Sequence, residues 1–92
     1  MSIHIGENIT IFKEDIIAII DRKTVETSIN MKRFIDNMIK DGNLRNNNIE
    51  NARTYILTYA NKTDNKKYNL YLSNISSITL FKRAKKENQI GG

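Results

Sequence analysis

The stretch DIIAIIDRKT, residues 15–24, constrains the fold more than any other segment: five apolar residues stand in a row between two acidic neighbours. Side chains alternate along a strand, so Ile16, Ala18 and Ile20 face one way and Ile17 and Ile19 the other, and both faces are apolar. A chain of 92 residues builds a single core, not two lobes around a deep cleft. Both sides of this strand must nevertheless be covered, and the rest of the sequence has to supply the layers.

One layer is a helix. In SINMKRFIDNMIKDG, Met31, Phe34, Ile35, Met38 and Ile39 recur at i, i+3, i+4, i+7 and i+8, which predicts a helix over 28–41 with one apolar stripe. Ser28 is placed to cap its start and Gly42 to end it. The second face has two candidate covers: another copy of the chain, seated on Ile17 and Ile19, or a C-terminal helix presenting Ile78 and Phe81. That helix is expected after Ser76 or Ser77 in SNISSITLFKRAKKENQ, with Leu80 and Ala84 also apolar. Its cluster Lys82, Arg83, Lys85 and Lys86 suits the negative end of a helix macrodipole.

The remaining elements are strands. IHI and ITIF flank Gly6, Glu7 and Asn8 as a hairpin. RTYILTYA and KYNLYLS form two further strands joined by the polar NKTDNK, with Tyr55, Leu57 and Tyr59 on one face and Tyr68, Leu70 and Leu72 on one face. Tyrosines so placed are half-buried cross-strand partners before they are base-stacking platforms. NLRNNNIENA, 43–52, has no period and reads as a surface loop. The result is an α+β class: a small antiparallel sheet of about five strands, one central amphipathic helix and a short C-terminal helix, in one domain over 1–88 with a frayed tail at 89–92.

The chain has no cysteine, which removes disulfides, thiolate metal sites and cysteine nucleophiles. Its single histidine, His4, sits between alternating isoleucines and is expected to be an ordinary strand residue, not a ligand or base. The carboxylates are scattered, the serines are better read as caps, and no glycine-rich loop cradles phosphate. Neither an enzyme nor a cofactor or metal is implied, and there is no small-molecule substrate to expect. No apolar run reaches the length of a membrane span and the N-terminus lacks the features of a signal peptide, so a cytoplasmic protein is expected.

Charge is the remaining clue. Residues 1–50 carry seven Lys or Arg against eight Asp or Glu, whereas residues 51–92 carry eight against two. Such an excess suits a polyanion. Thirteen Asn, sixteen Ile and ten Lys are also the bias of an A- and T-rich genome, so the five arginines are the better guide. Arg22 with Lys23 closes one strand, Arg53 opens another and Arg45 lies in the polar link, at rims from which a side chain can reach a phosphate backbone.

The order IHIGENITIFKEDIIAIIDRKT, ARTYILT and LYLSNISSITLFKRA resembles the RemA/RemB family of small bacterial regulators, from Ile3 to about Ala84, and is most similar to the RemB branch. The resemblance implies a homo-oligomeric regulator of extracellular matrix and biofilm genes, with a LytTR-like fold and a DNA-binding surface on a closed ring. It further implies contacts from an arginine just before the third strand and from two shortly before the fourth. Those positions hold Asp15, Glu50 and Asn51 here, and only Arg53 is a nearby basic match. The expected DNA-contacting set is therefore Arg53, Arg22, Lys23, Arg45 and Lys13, and the expected interface is Ile17 and Ile19. Partners are duplex DNA and further copies of the chain, with the protein on the nucleoid if it binds DNA. The alternative, from another class, is an oligomeric scaffold that has lost the DNA-contacting arginines.

Overall fold

The computed structural model describes residues 1–46, 51–61 and 67–90, with side chains through Lys85. Among the described residues there are five strands: β1 (Ser2–Gly6), β2 (Ile9–Phe12), β3 (Ile16–Asp21), β4 (Thr54–Tyr59) and β5 (Tyr68–Ser73). Three α-helices accompany them: α1 (Arg22–Thr27), α2 (Ile29–Lys40) and α3 (Ser77–Ile90). A 3-10 turn at Lys13–Asp15 joins β2 to β3.

The strands do not form one five-stranded sheet. β1 and β2 pair only with each other, and β3, β4 and β5 make a separate antiparallel sheet in the order β3-β4-β5. The hairpin turn is tight because Glu7 and Asn8 both take positive φ, 52° and 61°, the geometry that matches strand twist in a two-residue connection. Gly6, at φ 103°, sits where the register shifts. The hairpin then folds over the three-stranded sheet: the buried Ser73 hydroxyl donates to the Ile5 carbonyl at 2.7 Å, and Arg83 of α3 donates to the His4 carbonyl at 2.7 Å. The His4 residue itself is exposed.

This arrangement answers the question posed by β3, because both faces of its sheet are covered within the chain. On one side Ile3, Ile5 and Ile11 of the hairpin and Leu80 of α3 bury Ile56, with Ile16, Ile19, Tyr71 and Ile75 packed around them. On the other side Val25 of α1 and Ile35 and Met38 of α2 bury Leu70, with Ile20, Leu44, Tyr55 and Leu57 alongside. The C-terminal helix does cover the second face, but through Leu80; Ile78 and Phe81 are 66% and 50% exposed.

The simple alternation expected of β3 fails at one point. A bulge falls between Ile16 and Ala18, so Ile16 lies opposite Thr58 and joins Ile19 in the hairpin-side core, while Ala18 and Ile20 lie opposite Leu57 and Tyr55. Ile17 is the extra residue, 39% exposed. Of the two expected interface residues, Ile19 is committed to the chain's own core and Ile17 is left at the surface. Bulges and short length are how an open edge strand avoids indiscriminate pairing, and β3 is such an edge.

A short helix, α1, was not expected. Asp21 ends β3 and its carboxylate accepts from the Lys23 N–H at 3.1 Å, which starts a helical turn that buries Val25. α2 follows with Ser28 as its cap, accepting from the Met31 N–H at 3.2 Å. It closes in a Schellman motif: Gly42 at φ 81°, its N–H on the Ile39 carbonyl at 3.1 Å and the Asn43 N–H on the Met38 carbonyl at 3.0 Å. Only Ile35 and Met38 of the predicted stripe are buried; Phe34 and Ile39 are 41% and 42% exposed.

The beginning of the polar link is ordered. Asn43–Asn46 runs parallel to β5: Leu44 bridges Leu70, and the Asn46 side-chain amide pairs with both the N–H and the C=O of Leu72 at 2.7 and 2.8 Å. An asparagine amide carries the same donor and acceptor as a peptide group, so it serves as one more rung of the ladder. Residues 47–50 of that link and 62–66 of the NKTDNK connection lie outside the described residues, as do Gly91 and Gly92 and the Lys86 side chain. α3 continues to Ile90, so Lys82, Arg83 and Lys85 sit within the helix and not in its last turn.

Candidate nucleic-acid interface

Antiparallel pairing brings the end of β3 beside the start of β4, and the chain reverses direction there at both strands. Asp21 lies opposite Thr54, the Arg22 N–H donates to the Arg53 carbonyl at 2.9 Å, and the Arg53 N–H donates to the Ser73 carbonyl at 2.8 Å. Thr54, fully buried, donates its hydroxyl to the Ile75 carbonyl at 2.7 Å, which brings the lead-in of α3 to the same place. The Ser76 hydroxyl then caps α3, accepting from the Thr79 N–H at 3.2 Å.

The result is an open cleft of about 300 Å³ lined by Arg22, Lys23 and Arg53, together with Asp21, Glu26 and Ser77. The three cations are not equivalent. Arg22 pairs with Glu26 at 2.7 Å, one helical turn on, and donates to the Ala52 carbonyl at 3.1 Å; the hydrogen bond and the charge of Glu26 push its pKa above the ordinary arginine value. The Arg53 guanidinium and the Lys23 ammonium have no hydrogen-bonding or ionic partner among the described residues. The cleft therefore offers two uncommitted cations and one held in place by a carboxylate, an arrangement suited to an anionic surface of moderate charge.

Two other expected contacts lie elsewhere. Arg45 stands at the β5 edge, with its N–H on the Leu70 carbonyl and its guanidinium on Asn69 Oδ1. Lys13 belongs to the 3-10 turn, where its N–H donates to the Met1 carbonyl at 2.8 Å. That turn also carries Asp15, and it lies at the end of the sheet opposite Arg53, about 20 Å away along a six-residue strand. Asn51, next to the Arg53 rim, takes φ 58° and is exposed, and Glu50 lies outside the described residues. Asp15 and Asn51, two of the positions implied by the family resemblance, thus fall at opposite poles of one chain.

Sequence reading missed Ser77 and Glu26 as lining residues. The spacing of Arg22 and Glu26, four apart behind an Asp cap, is the signal that could have revealed α1 and this ion pair. Among the described residues no group of three or more His, Asp or Glu is placed to hold a metal, and no helix is long and apolar enough to cross a membrane.

The chain is thus a small α+β fold with a basic rim, Arg22, Lys23 and Arg53, at one strand end. The chain belongs to the RemA-like family, described as extracellular matrix regulatory protein A-like, whose family model matches residues 2–84. No curated protein matches it. The family is a regulatory one.

Proposed function

We propose that the protein is a DNA-binding transcriptional regulator of extracellular matrix and biofilm genes, with a LytTR-like fold, acting as a homo-oligomeric ring that contacts the DNA backbone. The observation that carries this reading is the convergence of Arg53, Lys23 and Arg22 on one strand-end cleft, with Arg53 and Lys23 uncommitted. Contacts of this type neutralise phosphates and position the protein without reading base edges. The exposed Ile17, Ile78 and Phe81 support self-association. A titration on duplex DNA at two salt concentrations tests the reading: binding must weaken steeply as salt rises, and absence of binding at low salt overturns it.

The scaffold reading is favoured by one observation, the Arg22–Glu26 pair, which leaves the rim less basic than its sequence suggests. Loss of DNA binding in Arg53→Ala with the oligomer intact would eliminate it.

A further inference from the structure

The strand-end cleft holds more chemistry than a phosphate backbone calls for. Beside Arg53 and Lys23, whose charged groups have no partner among the described residues, it is lined by two carboxylates, Asp21 and Glu26. Each carboxylate is half engaged. One oxygen of Asp21 accepts from the Lys23 N–H at 3.1 Å, and one of Glu26 accepts from the Arg22 guanidinium at 2.7 Å. Asp21 Oδ2 and Glu26 Oε2 accept nothing among the described residues, and the hydroxyl of the half-buried Ser77 has no partner there either.

These groups fall into two sets with opposite demands. Arg53 and Lys23 can only donate, and a guanidinium fork with an ammonium in the same cleft suits the oxygens of a phosphate group. The Ser77 hydroxyl can donate to the same group, and Ser77 is the first residue of α3, whose positive end adds to the attraction. The carboxylate oxygens can only accept, and they repel phosphate, so in a cleft that served the DNA backbone alone they would weaken binding. Their complement is a neutral group rich in donors, such as the hydroxyls of a sugar. A deoxyribose within a DNA strand has no free hydroxyl to offer, whereas a free sugar phosphate has several. The volume, about 300 Å³, lies at the lower bound of the roughly 300–1,000 Å³ usual for small-molecule sites, which is room for one sugar ring and its phosphate.

We propose that this cleft binds a small sugar phosphate, with the phosphate on Arg53, Lys23 and Ser77 and the hydroxyls on Asp21 and Glu26, and that the bound ligand competes with DNA for the two cations. A free sugar phosphate and the ribose phosphate of a mononucleotide carry the same chemistry. The competition rests on the DNA-binding reading above; the ligand site itself does not.

The test is to titrate the full chain, without DNA, with ribose 5-phosphate, AMP, inorganic phosphate and ribose, following amide shifts by NMR. Ribose 5-phosphate or AMP binds at least about tenfold more tightly than inorganic phosphate, as expected for added hydrogen bonds to charged acceptors. Binding of ribose 5-phosphate identifies the free sugar phosphate as sufficient, and binding of AMP alone identifies the nucleotide. Asp21→Asn with Glu26→Gln keeps a side-chain oxygen for the α1 cap and for Arg22, and it removes the preference over inorganic phosphate. Arg53→Ala weakens every phosphate-bearing ligand. Equal binding of sugar phosphate and inorganic phosphate overturns the proposal, as does a preference that survives the paired substitution. So does an absence of binding at millimolar concentration. A second titration adds duplex DNA: saturating ligand weakens duplex binding, and undiminished duplex binding overturns the competition. Because the first titration contains no DNA, a failure of the DNA-binding reading leaves its result standing.

Discussion

Ser73 joins three parts of the molecule through one hydroxyl, and its removal should be costly out of proportion to its size. Its Oγ donates to the Ile5 carbonyl at 2.7 Å and accepts from the Ile75 N–H at 3.0 Å, in a site with no solvent exposure. Ser73→Ala leaves a buried acceptor and an amide donor without a partner, each worth about 1–3 kcal/mol. With partial relief from small shifts of the hairpin, the expected loss is about 2–4 kcal/mol. A chain of 92 residues has a stability of about 5–14 kcal/mol, so the loss is a large fraction of the whole. In urea unfolding followed by far-UV circular dichroism, the midpoint should fall by about 2 M with little change in slope, for a slope near 1–1.5 kcal/mol per M. Ser2→Ala, at an exposed position of β1, serves as the control and should change stability by less than about 0.5 kcal/mol. If Ser73→Ala is no more destabilising than that control, the hairpin is not latched to the sheet as described.

Further outcomes follow from the two sides of β3 and from the N-terminus. Ile19→Asp places a carboxylate against the Ile56 core and should unfold the chain or destabilise it by about 3 kcal/mol or more, whereas Ile17→Asp, at the exposed bulge, should keep the wild-type circular dichroism and lower the mass seen by light scattering. A wild-type chain that already runs as a stable monomer of 10.7 kDa would refute the self-association part of the reading. The Met1 ammonium hydrogen-bonds Glu14 at 3.1 Å and holds its carboxyl below the ordinary value of 4.5. A depressed folded pKa contributes stability above the unfolded value and loses it as pH falls through the folded one, so this contact is present at neutral pH and vanishes in acid. N-terminal acetylation should raise the Glu14 titration, read by NMR, toward its ordinary value, the backbone hydrogen bond and the Lys13 charge still lowering it.

The features readable in the sequence were those set by local periodicity. The stripe of 31–39 located α2, Ser28 and Gly42 marked its ends, and alternation located β4 and β5. The division of five strands into two sheets was not readable, because it depends on which edge the hairpin declines to pair with, and no local pattern encodes that. The bulge at Ile17 was hidden for the same reason: one unpaired residue leaves the composition of the strand unchanged while moving Ile16 to the other face. Asn46 looked like filler in a loop and proved to be a rung beside β5, since an amide side chain and a peptide group are interchangeable as hydrogen-bonding partners. Of the candidate site, Arg22, Lys23 and Arg53 come together because antiparallel pairing puts the end of β3 beside the start of β4; Lys13 and Arg45 belong to other surfaces.

The role of the basic rim is tested most directly by measuring duplex DNA affinity across a salt series for the wild type and Arg53→Ala side by side. If Arg53 neutralises a phosphate, the variant binds more weakly on every sequence, and the slope of log K against log salt becomes shallower by about 0.9. An unchanged affinity and slope, in a variant that keeps the wild-type fold and oligomer, would contradict the assignment of this rim to DNA.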